Sequence, residues 1–230
     1  MAATSSPGGP NAQGFFAFVA DTKFSVNRGF FDKGFVVTIT TATRDATIRY
    51  STDGKPPTST TGSVYSGPIA INQTTVLRAA AFKDGFEPSN VDTQSYFFLD
   101  DVIRQSADGQ PPPGWPASWG GNTVDYGMDP DVVNNPAYSS TIKDDLKTLP
   151  SFSLVLDLDD LFDPSTGIYA NPGQDGRSWE RPCSVELIYP DGKEGFQINA
   201  GLRIRGGFSR STGNPKPFRS WITRITSRMS

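Results

Sequence analysis

The stretch Ala46-Thr-Ile-Arg-Tyr-Ser-Thr-Asp-Gly54 decides the fold. Its side chains alternate, with Ile48 and Tyr50 on one side and Thr47 and Arg49 on the other, the signature of a half-buried strand. Asp53-Gly54 then supplies a turn, and Pro56-Pro57 ends regular pairing because proline has no backbone N–H to give to a ladder. Just upstream, Phe35-Val-Val-Thr-Ile-Thr40 is β-branched, with Val37 and Ile39 on one face and Val36, Thr38 and Thr40 on the other. Downstream, short runs recur at Pro68–Ile71, Thr75–Phe82 and Thr93–Phe98, separated by Asn72-Gln73 and Asp84-Gly85. In the Thr75–Phe82 run, Leu77, Ala79 and Ala81 are expected to face a core and Arg78 to face water.

Six or seven short strands with turns every ~8–12 residues predict an immunoglobulin-like antiparallel β-sandwich over residues 24–98. Residues 1–23 read as a flexible lead-in and 99–148 as a Pro/Trp-rich connector and helix. The connector contains Gln110-Pro-Pro-Pro-Gly-Trp-Pro-Ala-Ser-Trp119, a polyproline-like run expected to lie over a neighbouring surface. Pro136 suits a first helical position, Tyr138, Ile142 and Leu146 recur at i, i+4 and i+8, and Leu149-Pro150 closes the segment, so one helix is predicted there. From Ser151 the period returns to two, with Phe152, Leu154, Leu156 and Leu158 predicting a strand over 151–158. Cys183–Tyr189 and Gly195–Arg205 are also strand-like, and Asp191-Gly192 is a hairpin signal. The fold class expected is mainly β, a sandwich plus a β-rich α+β second domain over 149–230, which the family resemblance given below implies is truncated.

Composition agrees. With 36% hydrophobic and 20% charged residues, the 230-residue chain can bury a core. Its 42 glycines and prolines and 27 aromatic residues favour short strands and many turns over a helical bundle. One cysteine excludes an internal disulfide framework or a Cys-rich zinc site. The absence of histidine excludes a Ser-His-Asp triad, a Cys-His dyad and any His-ligated metal built from this chain. The net charge is −3, unevenly placed: Asp125–Asp163 holds nine acidic and two basic residues, whereas Arg203 onward holds seven basic and no acidic ones. Such a basic tail suits phosphate, nucleic acid or an acidic neighbouring domain, or is simply a solvated face. No run approaches the ~20 apolar residues of a membrane span, and Met1–Asn11 has neither the basic nor the apolar region of a signal peptide.

Few constellations carry chemistry. Asp157-Leu-Asp-Asp-Leu-Phe-Asp163 offers the oxygen ligands that calcium prefers but lacks the EF-hand glycine and spacing. The stronger reading is that Asp157 or Asp159 caps a short helical turn containing Leu161 and Phe162. In Arg203-Ile-Arg-Gly-Gly-Phe-Ser-Arg210, a strand runs into two glycines whose amides can approach an anion, with Ser209, Arg210 and Lys216 as further donors. On its own this is neither a Walker loop nor a dinucleotide fingerprint, and a plain turn with exposed arginines is the simpler reading. Trp115 and Trp119 are candidates for stacking on sugar rings, although large aromatics more often dock or pack. Cys183 sits among apolar strand residues and reads as a buried, inert thiol.

Taken together, Ala46–Gly54, Pro57-Thr58, Tyr65-Ser-Gly-Pro68 and Leu77-Arg-Ala-Ala-Ala-Phe82 resemble the chitobiase/β-hexosaminidase C-terminal-type module, a non-catalytic immunoglobulin-like sandwich of bacterial secreted and surface proteins. Leu149–Phe162, Gly167-Ile-Tyr-Ala-Asn171, Trp179-Glu-Arg-Pro182 with Val185-Glu186, and Gly201–Gly207 through Pro215-Lys216 and Phe218-Arg219 resemble the start of the CotH family of spore-coat-type atypical kinases. Pro7-Gly-Gly-Pro-Asn11 resembles the closing turn of a lamin-tail-like domain. The CotH resemblance implies phosphoryl transfer from ATP with Mg to protein Ser/Thr, with Arg205, Gly206, Gly207, Ser209, Arg210 and Lys216 near the nucleotide phosphates. After Arg219 the likeness ends, as in a frameshifted or broken gene, and no catalytic or metal-binding residue is assignable. The expectation is therefore a non-catalytic fragment of a bacterial extracellular or surface multidomain protein, acting as a spacer or binding module without a cofactor of its own. Its partners would be the missing C-terminal half of the CotH-like domain and a cell-surface polysaccharide or protein, not nucleic acid. The alternatives are a piece of a CotH-type kinase and a carbohydrate-binding module.

Overall fold

A computed structural model describes residues 17–106, 108–119, 122–123, 125–204 and 226–227. The deciding stretch forms β6 (Thr47–Ser51), after β1 (Ala17–Phe18), β2 (Thr22–Phe24), β3 (Gly29–Phe30), β4 (Phe35–Val37) and β5 (Ile39–Thr41). It is followed by β7 (Ser63–Val64), β8 (Ile69–Ile71), β9 (Thr75–Phe82), β10 (Phe86–Glu87) and β11 (Asp92–Phe97). One layer is a five-stranded sheet in the order β3-β11-β9-β6-β7. Opposite it lie the pairs β4–β8 and β2–β5. The run 35–41 therefore changes partner at Thr38, whose backbone is held by Ser25. Val37, Ile39, Ile71, Leu77, Ala79 and Tyr96 close the core between the layers, and Ile48 and Tyr50 pack against it. The expected faces of β4, β5 and β6 are observed.

Arg78 is a correction. It does not face water: its residue is 5% exposed. The cause is a third layer, a sheet ordered β14 (Ser151–Val155), β15 (Arg181–Ile188), β16 (Phe196–Leu202) and β17 (Thr226–Ser227), in which β15 packs against β11. The five-stranded sheet is thus covered on both faces in its centre, and period two in β9 separates two buried environments rather than core from solvent. On the far side of the third layer a second core gathers Leu161, Ile168, Tyr169, Cys183, Val185, Ala200 and Leu202.

The connector departs from expectation as well. After α1 (Leu99–Val102) and α2 (Pro130–Val133), the single helix expected from Pro136 to Leu149 is reduced to α3 (Ile142–Asp145). Asp129 caps α2 by accepting from the Asp131 amide, with Pro130 at the first helical position. Tyr138 is 50% exposed and Ile142 and Leu146 are only half-buried, so the apolar stripe that suggested one helix is incompletely covered, and a helix with little tertiary burial is marginal at this length. Leu158 likewise leaves the predicted strand. Asp157 accepts from the Asp159 amide (3.1 Å) and caps α4 (Leu158–Phe162), so the capping reading of this acidic run holds. The last labelled pair in the connector, β12 (Ser118–Trp119) and β13 (Asn122–Thr123), is a two-stranded ribbon. No helix among the described residues is long and apolar enough to cross a membrane.

Candidate functional site

The two β-units meet through polar groups. Glu186, at the centre of β15, is fully buried at 0% exposure. Alternation puts Cys183 and Val185 into the second core and turns Ser184, Glu186 and Ile188 toward the sandwich. There the Arg28 Nε meets Glu186 Oε1 at 2.9 Å, and the Ser95 amide donates to the same oxygen at 3.1 Å. The Ser95 hydroxyl donates to Oε2 at 2.5 Å. With that proton committed to Glu186, Ser153 of β14 is the donor in its 2.8 Å contact with Ser95. Arg28 is tied further to the sandwich: its amide donates to Gln94 Oε1 (2.7 Å), and its Nη2 donates to the Thr93 carbonyl (3.3 Å). Burial pushes the Glu186 carboxyl above its ordinary range, and the Ser95 hydroxyl and the Arg28 charge pull it back.

Nearby, Arg78 crosses from β9 to donate from Nη1 to the Gly54 carbonyl (2.7 Å). Its Nε is buried and has no hydrogen-bond partner among the described residues, a desolvation that costs roughly 1–3 kcal/mol. Burial lowers the guanidinium below its usual value, opposed by Cys183, Glu186, Asp53 and Asp157, and it keeps its charge. The Asp53-Gly54 turn also comes close to the second unit. Gly54 has φ +84°, and a Cβ there would sit 3.2 Å from the Leu156 carbonyl. Beyond the turn, Lys55 Nζ reaches Asp157 (3.2 Å) and Asp159 (3.3 Å) at the cap of α4, and its pKa is raised by those two hydrogen bonds.

These contacts border a groove of about 960 Å³ between the units, walled by residues 52–55, the 69–76 segment, Pro113–Trp115 and the 154–159 segment. Trp115 lines it, its ring edge-to-face with Tyr126 (5.6 Å) and Phe162 (5.4 Å). The connector thus runs over a neighbouring surface. Trp119 lies at the end of β12, its backbone paired with Asn122. A second groove of about 650 Å³ opens at the other end of the junction, between Asn27–Phe31 and the β15–β16 hairpin.

The remaining candidates are not brought to this junction. Arg205, Gly206, Gly207, Ser209, Arg210 and Lys216 lie outside the described residues, as does most of the basic tail. Cys183 is 3% exposed, and burial pushes its thiol up to about 11. Among the described residues no group of three His, Cys, Asp or Glu side chains is placed to hold a metal ion. Sequence reasoning missed Glu186 as an interface residue, although a glutamate inside Cys183-Ser-Val-Glu-Leu-Ile188 is the signal that could have marked it. Nothing local marked Arg28.

No curated protein and no solved structure matches the chain. Residues 26–93, the sandwich that presents Arg28, Gly54 and Arg78 to the junction, match the family model of the chitobiase/beta-hexosaminidase C-terminal domain.

Proposed function

We propose that this chain is a non-catalytic spacer and binding segment of a bacterial secreted or surface multidomain protein. The observation that carries the reading is the interlock at Glu186, where a carboxylate of one β-unit is held by Arg28 and Ser95 of the other. A flexible tether would need no such contact; a spacer of fixed geometry does. The sandwich supplies the family likeness, and the motif series over 149–219 supports the second unit as the opening portion of a CotH-type domain. In the kinase alternative, ATP and Mg would be handled by residues outside those described, so no phosphoryl-transfer step is derived from this chain.

Two measurements test the role. Spin labels on cysteines replacing the exposed Thr60 and Asp191 should give one narrow distance distribution, whereas a broad one would refute a fixed spacer. Incubation of the purified chain with Mg-ATP should leave it unphosphorylated; ATP-dependent autophosphorylation would replace the proposed role with the kinase.

A further inference from the structure

The 960 Å³ groove has two unlike walls. One is aromatic and fixed: Trp115 stands against Phe162, Phe162 against Tyr169 (5.4 Å), and the Tyr126 hydroxyl donates to the Pro116 carbonyl (2.9 Å), pinning the loop next to the tryptophan. The other is polar, formed by the exposed Asn72 and Gln73 between β8 and β9 and by the turn Thr52–Lys55. The lining also includes the apolar Ile71, Val76 and Val155. The charged lining residues are Asp53, Lys55, Asp157 and Asp159, three carboxylates and one ammonium, for a net charge of −2. Lys55 is already engaged by Asp157 and Asp159, so the groove offers no cation to an anion and repels one.

We infer that this groove binds a short neutral saccharide, its C–H face on Trp115 and its hydroxyls on the Asn72 and Gln73 amides. The Gln73 amide presents one acceptor and two donors in a plane, which suits neighbouring hydroxyls that both give and take hydrogen bonds, and Asn72, whose Oδ1 lies against Gly34, adds donors. The volume falls in the ~300–1,000 Å³ range of small-molecule sites, and boundaries between folded units are where such sites concentrate. A ring already held by Phe162 and Tyr126 loses little freedom on binding. The inference deepens the binding half of the proposed role and rests on it; the spin-label distances report the spacer half independently.

Isothermal titration of the full chain with chitotriose, cellotriose and xylotriose, with trigalacturonate and inorganic phosphate as anionic probes, tests it. At least one neutral trisaccharide should bind and neither anion should. Trp115→Ala should weaken that binding about tenfold, the size of one good aromatic contact. Because Trp115 also packs, Asn72→Ala/Gln73→Ala on the exposed wall is the second variant. It should weaken binding by threefold or more, roughly one hydrogen bond, with the melting curve unchanged. The inference falls if no neutral trisaccharide binds at millimolar concentration, if trigalacturonate binds as well as the neutral sugars, or if the Asn72/Gln73 variant binds as the parent does.

Discussion

Replacing Glu186 by alanine removes three contacts at once: the Arg28 ion pair and the two bonds from Ser95. The glutamate is fully buried and the Arg28 side chain is 18% exposed, so little water is at hand to take their place. Removing one partner of a buried pair leaves an uncompensated charge and costs ~3–5 kcal/mol. The partial exposure of Arg28 argues for the lower end, about 3 kcal/mol, or about 6–12 °C in Tm at ~2–4 °C per kcal/mol for a chain of this size. Glu186→Gln keeps an acceptor for Arg28 and Ser95 and should cost about 1 kcal/mol. Arg28→Met/Glu186→Leu, which removes both charges, should be less destabilised than the two single losses added together. The pH arm has a definite sign. Burial raises the carboxyl in the folded state, so the folded chain holds this proton more tightly than the unfolded one. Its contribution is fully present below the unfolded glutamate value of ~4.3 and is lost as pH rises through the raised folded value. Stability of the parent relative to Glu186→Gln should therefore fall across that window. Urea titration at several pH values, read as midpoint and slope, measures all of this. A Glu186→Ala cost under about 1 kcal/mol, or strict additivity in the double variant, would refute the interlock as a stabilising contact.

Three further outcomes follow from other positions. Gly54→Ala must place a Cβ at φ +84° against the Leu156 carbonyl, and thermal melting should show a loss of about 1–3 kcal/mol. Asp157→Ala loses both the α4 cap and one partner of Lys55; about 1 kcal/mol should disappear in urea unfolding, mostly from the cap, since exposed ion pairs contribute little. Cys183, buried and with its thiol pushed up to about 11, should resist an aromatic disulfide reagent in the native chain at pH 8 and react promptly in denaturant; rapid native labelling would contradict its placement.

The sandwich was legible because its determinants are local. Alternation in Thr47–Ser51, the Asp53-Gly54 turn and the β-branched run at 35–40 each specify their own strand, and the buried set Val37, Ile39, Leu77 and Ala79 follows. Arg78 was misplaced for a physical reason. A polar residue opposite a core face signals a different environment, and a second buried polar layer looks the same as water in one sequence. The connector misled through the opposite error, since the Tyr138-Ile142-Leu146 spacing satisfies helical geometry while Tyr138 stays exposed and the other two are only half-buried. The strand expected to reach Leu158 stops at Val155 because Asp157 captures the Asp159 amide, a local bond that outcompetes continued pairing. The junction itself was hidden: Arg28, Ser95, Ser153 and Glu186 lie far apart in the chain, and only the folded topology makes them neighbours.

The composition of that seam sets what happens when it parts. Its facing residues include Ser95, Thr93, Arg28 and Arg78 on one side and Glu186, Ser153 and Ser184 on the other, groups that water solvates well, beside the apolar Ile188. Peeling the halves apart would wet a mostly hydrophilic surface and bare only a few apolar side chains. Such an opening would be followed by re-closure of the same seam, with little drive toward clumping between molecules.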